Sequence, residues 1–479
     1  MPVCRRWKRL LLFPYFQYYR NNASESSPDD GQSPLRGHYG AVSSVPMPLR
    51  PVAAGLEARI LRQAEAARDE IAAFCGELIR IPTVNPPGEN YRECAALLGS
   101  RLAGAGFEVV FDDPPVEACP PGSAACPRRN VIGRLRGPLG ESCRRLHLNG
   151  HLDVVPPGSG WTTDPFSGDV RDGAVWGRGA SDMKGGIAAA FFAAIVLQRA
   201  GARLGGTLEI SGTADEETGG QAGVAWLAES GQIARDTDAV IIPEPFGSRR
   251  VCVGHRGVYW FRVVAEGEVA HGSMPFLGRN AITDLAPLLE EIRNEWVPEL
   301  AARRTALPVV PEGARVATVN VNSIRGGQAG AGTESPQVPD RAELVVDRRF
   351  LPEEGLEAVR EEVAHRIAAC AAREPGRRYR VEELLTVEPV RTPAGSLATE
   401  AVRYGVRSAL GVEVEEVASP GTYDHKHVTR IAGIPDCVAY GPGILELAHR
   451  PDEHCPVEEL VRSTAALALA AAAVLGAEG

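Results

Sequence analysis

Apolar residues recur at helical spacing over 56–79 and stop at Ile81-Pro-Thr-Val-Asn-Pro-Pro-Gly88, whose prolines cannot continue a helix. Short apolar runs at 130–135 and 145–152 read as strands. A helix with an apolar body follows over 186–199, with Gly201 just past its end. A strand at 207–214, a helix at 221–230 and a strand at 237–242 continue the alternation. Strands alternating with helices predict an α/β fold, a parallel-rich sheet covered by helices on both faces. After residue 255 the rhythm changes. A strand at 259–265, a long helix over 281–304, strands near 315–324 and at 342–350, and a helix over 353–373 predict a smaller inserted α+β domain. The α/β pattern resumes after Pro375-Gly376. The expected division is therefore 51–254 and 377–479 for the larger domain and 255–376 for the insertion. Residues 1–50 differ from the rest. They are basic and aromatic at first, then rich in Ser, Pro and Gly, with a short apolar run broken by Pro14. They read as a disordered extension without a clear signal peptide, and Met47 is an alternative start.

Composition narrows the classes. A chain of 479 residues exceeds one compact core and suits two or three domains. The net charge of −10, from 51 Lys and Arg against 61 Asp and Glu, argues against a nucleic-acid partner. No apolar run reaches the roughly 18 residues that a membrane span needs, and the Ala-rich end at 465–475 is too short. The ten cysteines are scattered, with no Cys-x-x-Cys pair. That pattern points to a reducing cytoplasm rather than a disulfide scaffold or a zinc knuckle.

Candidate chemistry gathers where strands end, the edge at which parallel sheets carry their sites. His151-Leu-Asp153 closes one strand. In extended backbone residues i and i+2 share a side, so Asp153 can accept a hydrogen bond from the His151 ring and fix a metal-binding tautomer. Asp182, in Gly177-Arg-Gly-Ala-Ser-Asp-Met-Lys-Gly-Gly186, stands at a strand-to-helix corner. On its own it reads equally as a helix N-cap, and its glycines lack the order of a phosphate loop. Glu216 and Glu217 follow another strand; their side chains diverge, so one can hold a metal while the other faces a water. Glu244, between Pro243 and Pro245, would be costly to bury without a cation. His449 stands in Ala448-His-Arg-Pro-Asp-Glu453, before the last helix. Carboxylates with imidazoles at successive element ends suit Zn²⁺, Co²⁺ or Mn²⁺, and a shared aspartate allows a metal pair.

Together with Ala270-His271, these segments resemble the M20 metallopeptidase family, in particular its acetylornithine deacetylase/succinyl-diaminopimelate desuccinylase branch. The resemblance runs from about residue 57 to 474, with the motifs in the family's order. It implies two divalent metal ions, Zn²⁺ foremost with Co²⁺ or Mn²⁺ as substitutes. His151, Asp182 and Glu244 would hold one; Asp182, Glu217 and His449 would hold the other. Glu216 would be the general base and Asp153 would orient His151. Residues 255–376 would form a lid and dimerisation domain, with His271 reaching the partner subunit's site to stabilise the oxyanion. Arg348, Gly421 and Thr422 match substrate-contact positions, whereas His255-Arg256-Gly257 and Ser335-Pro-Gln-Val-Pro339 depart from the strict desuccinylase pattern. His425 and His427 stand beside the Gly421-Thr422 loop, either in contact with substrate or in a supporting role. The expected activity is cleavage of the amide of an N-acyl amino acid or related small amide by a cytoplasmic homodimer. A dipeptidase or carboxypeptidase is the alternative enzyme, and a non-catalytic small-molecule binder the alternative class.

Overall fold

The computed structural model describes residues 48–120, 125–140, 144–327 and 336–479, so the extension over 1–50 lies almost wholly outside it, as do Met47 and Ser335. The larger sheet begins with β1 (Glu108–Asp112), β2 (Asn130–Arg136), β3 (Arg145–His151), β4 (Thr207–Thr213), β5 (Ala239–Ile242) and β6 (Arg250–His255). The chain then builds a second sheet from β7 (Gly257–Glu266), β8 (Thr318–Gly327), β9 (Arg341–Phe350) and β10 (Arg378–Val387). It returns through β11 (Val390–Arg391), β12 (Glu415–Ser419) and β13 (Cys437–Ala439) to complete the first. Strand order in the larger sheet is β1-β2-β4-β3-β5-β13-β6-β11, and β12 also pairs with β6. The middle pairings, β4 with β3, β3 with β5 and β5 with β13, are parallel. Every residue of β3 and β4 but the first is buried, as expected of strands covered on both faces.

The covering helices are α1 (Ala54–Ala66), α2 (Arg68–Ile79), α3 (Tyr91–Gly104), α4 (Lys184–Arg199), α6 (Leu397–Leu410) and α7 (Val457–Leu475), with α5 (Leu356–Ala372) belonging to the second sheet. Small residues let α4 and α7 sink almost entirely into the core. A Cβ on Gly405 of α6 would stand 2.2 Å from Ala466 O of α7, so only glycine permits that helix contact. Among the described residues no helix is long and apolar enough to cross a membrane.

The second sheet has the order β8-β9-β7-β10 and is antiparallel throughout. Helices cover one face, burying Phe261, Val263, Leu344, Val346, Trp296 and Val363 between them. Two expectations change here. The fourth strand, β10, carries this sheet beyond the expected boundary at residue 376, because it pairs along β7 from Arg378 to Val387. The long helix expected over 281–304 is a run of shorter pieces from Ala281 to Ala302. Pro287 and Pro298 lie inside it, and each removes a backbone donor from the ladder.

Candidate metal centre

The parallel strands β3, β4 and β5 all run toward one edge, and the ligand candidates lie just beyond it. His151 ends β3, Glu216 and Glu217 occupy the turn after β4, and Glu244 follows β5 by two residues. Asp182 sits just before α4 and His449 in the loop ahead of α7. The close fit of these segments needs small residues. A Cβ on Gly186 would lie 1.9 Å from Pro243 O, so this glycine lets the Glu244 turn pack on the first turn of α4.

Asp182 is the centre of the cluster. Its Oδ1 lies 3.1 Å from His151 Nε2, and its Oδ2 lies 3.3 Å from His449 Nε2. His449 Nε2 is also 3.1 Å from Glu217 Oε2, and His151 Nε2 is 4.0 Å from Glu244 Oε1. The five expected ligands therefore fall into two sets that share Asp182. Among the described residues, His151, Asp182 and Glu217 offer atoms within 4.8 Å of one another, a group able to hold a metal ion.

The electrostatics fit a cation. Burial, then the charge of Asp182, raises the carboxyls of Glu217 and Glu244 above their usual range. Burial acts the same way on Asp182, but hydrogen bonds from His151 and His449 outweigh it and hold this carboxyl low. Bonds to Asp182 and Glu217 push His449 up to about 11. Burial opposes protonation of His151, but its bond to Asp182 and the surrounding carboxylates outweigh this and raise it. Glu217 Oε1 is buried without a hydrogen-bond partner, a cost that a cation would remove.

The ring of His151 is fixed, though by a different oxygen from the one expected. Nδ1 lies 3.0 Å from the main-chain carbonyl of Asp153, while its distance to the Asp153 carboxylate is 3.7 Å. Donation from Nδ1 to this carbonyl fixes the ring so that Nε2 faces Asp182. The Asp153 carboxylate instead accepts from the amides of Glu216 (3.3 Å) and Glu217 (3.1 Å) and from Asn85 (2.9 Å). It anchors the turn that carries the expected base, Glu216, and an expected ligand, Glu217.

Glu216 is half-buried beside the cluster, and desolvation raises its carboxyl to about 8. Lys426 Nζ is 3.9 Å from its Oε1. Gly421 and Thr422 are half-buried at the start of the same loop, so these two substrate candidates belong to a segment that reaches the site. Farther along it, the His427 ring donates to Gly219 O at 2.7 Å, while His425 is buried against Tyr423.

Arg348 is not brought there. Side chains alternate along β9, and Arg348 falls on the helix-covered face, fully buried, with Nη2 2.6 Å from Glu354 and 3.1 Å from Glu362. Its expected contact with substrate gives way to an internal ion pair. Arg349 takes the open face, paired with Asp347 and lying over the Trp260 ring. His271 is exposed and bonds Ser273 Oγ at 2.7 Å, apart from the ligands of its own chain.

The sequence reading missed several supporting residues. Glu453 is fully buried; its Oε1 accepts from the amides of Gly179, Ser181 and Asp182 at 2.9 to 3.1 Å, and its Oε2 pairs with Arg178 at 2.5 Å. Its spacing of four from His449 was the available signal. Asp215 lies under the Glu216 turn, held by Arg128 at 2.9 Å and Tyr91 at 3.0 Å, and no motif marks either partner.

Comparisons with known proteins agree with this geometry. Residues 147–473 match peptidase family M20/M25/M40. A succinyl-diaminopimelate desuccinylase of Xanthomonas campestris is 30% identical over 380 residues, 77% of this chain and 89% of that protein. The desuccinylase of Leptothrix cholodnii is 31% identical over 80% of this chain and 93% of its own length. Human carnosine dipeptidase 1 superposes with a TM-score of 0.69 at 19% identity, covering 89% of this chain and all of that one. A dinuclear metal binding peptidase of Bacillus subtilis gives 0.60 at 18% identity, covering 86% of this chain and 99% of its own. The chain belongs to peptidase family M20/M25/M40.

Proposed function

We propose that this protein is a metal-dependent hydrolase that cleaves the amide bond of an N-acyl amino acid or a related small amide. The observation that carries the reading is the pair of candidate ligand sets sharing Asp182, with Glu216 half-buried beside them. His151, Asp182 and Glu244 would hold one divalent ion and Asp182, Glu217 and His449 the other, with Zn²⁺ foremost and Co²⁺ or Mn²⁺ as substitutes. When bound, the ions would supply Lewis-acid polarisation of the scissile carbonyl and of the attacking water. Glu216 takes the water's proton and returns it to the leaving amine. Its raised carboxyl suits both steps near neutral pH. Asp153 keeps the Glu216-Glu217 turn in place through two amides. Gly421 and Thr422 would contact substrate.

A dipeptidase or carboxypeptidase is the second reading. It shares the same ligand sets; His255, buried and brought down to about 3 by burial, stands where the resemblance puts an arginine in strict desuccinylases and so speaks against a succinyl substrate. A non-catalytic binder would lack a ligand or the base, and here every such position is filled. We also place the protein in a reducing cytoplasm, supported by eight unpaired cysteines among the described residues, and read it as a homodimer.

The test is a hydrolysis panel of acetyl-, formyl- and succinyl-amino acids crossed with dipeptides, run with Zn²⁺, Co²⁺, Mn²⁺ and chelator. Glu216→Ala should lower kcat by roughly 10²-fold or more while metal content stays as in wild type. Near-normal turnover in that variant removes Glu216 as the base.

A further inference from the structure

Arg256 is the one residue between β6, which ends at His255 in the larger sheet, and β7, which starts at Gly257 in the smaller one. Only 7% of it is exposed. A buried guanidinium is usually matched by a carboxylate, but Arg256 spends its donors on main-chain carbonyls. Nε and Nη2 bond Pro420 O at 3.1 and 3.0 Å, and Nη1 bonds Val316 O at 2.9 Å. Its own amide donates to Ser419 O at 3.3 Å. Val316 lies just ahead of β8, at the root of the smaller sheet; Ser419 and Pro420 begin the loop that leaves β12.

That loop reaches the site. It brings Lys426 to Glu216, places Asp424 where Asn149 donates to it at 3.2 Å, and sets the His427 ring on Gly219 O at 2.7 Å, in the turn of the base. A second tie joins the same segments: Ala418 N donates to Pro308 O at 2.7 Å and Val310 N to Ala418 O at 3.3 Å. The loop start is therefore gripped by elements that belong to the insertion.

We propose that Arg256 is a positioning residue that fastens the Pro420–Thr422 segment to the root of the smaller sheet, so that the loop beside Glu216 takes its place from that sheet. This rests on the hydrolase reading for its kinetic consequence, although the tie itself does not. Lysine keeps the charge but has no fork to span the Pro420 and Val316 carbonyls.

The experiment compares wild type, Arg256→Lys and Arg256→Met by amide hydrogen exchange over 419–427, metal content, and kcat and KM on a substrate from the panel. Exchange over 419–427 should quicken in both variants with metal content unchanged. In Arg256→Met, kcat/KM should fall about tenfold or more, chiefly through KM, the scale of a lost charge-assisted hydrogen bond or two; Arg256→Lys should fall between. Unchanged exchange over 419–427 overturns the proposal, whether or not the chain hydrolyses anything. Faster exchange with kcat/KM within about twofold of wild type overturns the positioning role. If Arg256→Met does not fold, the lysine variant decides by the same two readouts. A wild-type chain that cleaves nothing in the panel refutes the hydrolase reading alone, and the exchange arm still judges Arg256.

Discussion

Glu453 joins the segments of two candidate ligands, Asp182 and His449, through one carboxylate, since it holds three amides of the Gly179–Asp182 turn and lies four residues after His449. Glu453→Gln keeps the shape but removes the charge that makes those bonds strong. Apparent metal affinity, titrated calorimetrically on metal-free protein, should drop by about 10–100-fold, the usual effect of disturbing a ligand's support. An affinity equal to that of wild type would show that Asp182 holds its place unaided. Glu209 contributes to acid stability instead. It is fully buried, with Arg145 at 2.6 Å and His147 at 3.3 Å. Burial opposes its ionisation, but bonds to His147 and Arg145 overcome this and lower the carboxyl from 4.5 to about 2. A folded pKa below the unfolded one gives stabilisation that is full above pH 4.5 and is lost as the pH falls toward 2. The shift corresponds to about 3 kcal/mol. Urea unfolding of Glu209→Gln and wild type should therefore differ most near pH 6, and the gap should narrow as the pH is lowered through 4 toward 2; a constant gap would contradict the assignment.

Elements differ in how plainly the sequence announces them. Strands β3 and β4 are buried on both faces, so their residues form apolar runs that stand out without any partner being known. Several candidate site residues were readable for the same reason, because His151, Glu216, Glu217 and Glu244 stand at or just past the ends of such runs. Strand β10 has neither a run nor a clean alternation, as it lies at the edge of the smaller sheet. Only pairing with β7 identifies it. The choice between Arg348 and Arg349 was equally hidden. It depends on which face of β9 meets α5, and one step along a strand reverses every side chain. Chain-distant partners lay beyond any local pattern: Glu453 meets Ser181 across 272 positions and Arg128 meets Asp215 across 87. The prolines at 287 and 298 were visible in the sequence. They should have divided the helix over 281–304 from the start.

At the scale of the whole molecule, the question is whether one chain makes a complete site. His271 is exposed and bonded only locally, and beside it Phe276 is 78% exposed and Leu277 63%. Large apolar side chains gathered at a surface are a common mark of a protein interface. Both features suit a second copy that covers this segment beyond the end of β7 and receives His271 in its own site. As a donor to the developing oxyanion, His271 would act mainly in the transition state, so His271→Ala should lower kcat more than it raises KM. The decisive measurement mixes that variant with Glu216→Ala. Each should be nearly inactive alone, but a mixed dimer would hold one site with an intact base from one subunit and an intact histidine from the other. With equal amounts and random exchange, half of the dimers are mixed and one of their two sites works, giving about a quarter of wild-type activity. If subunit exchange is verified by mass and activity stays at the level of the separate variants, His271 does not act across the interface.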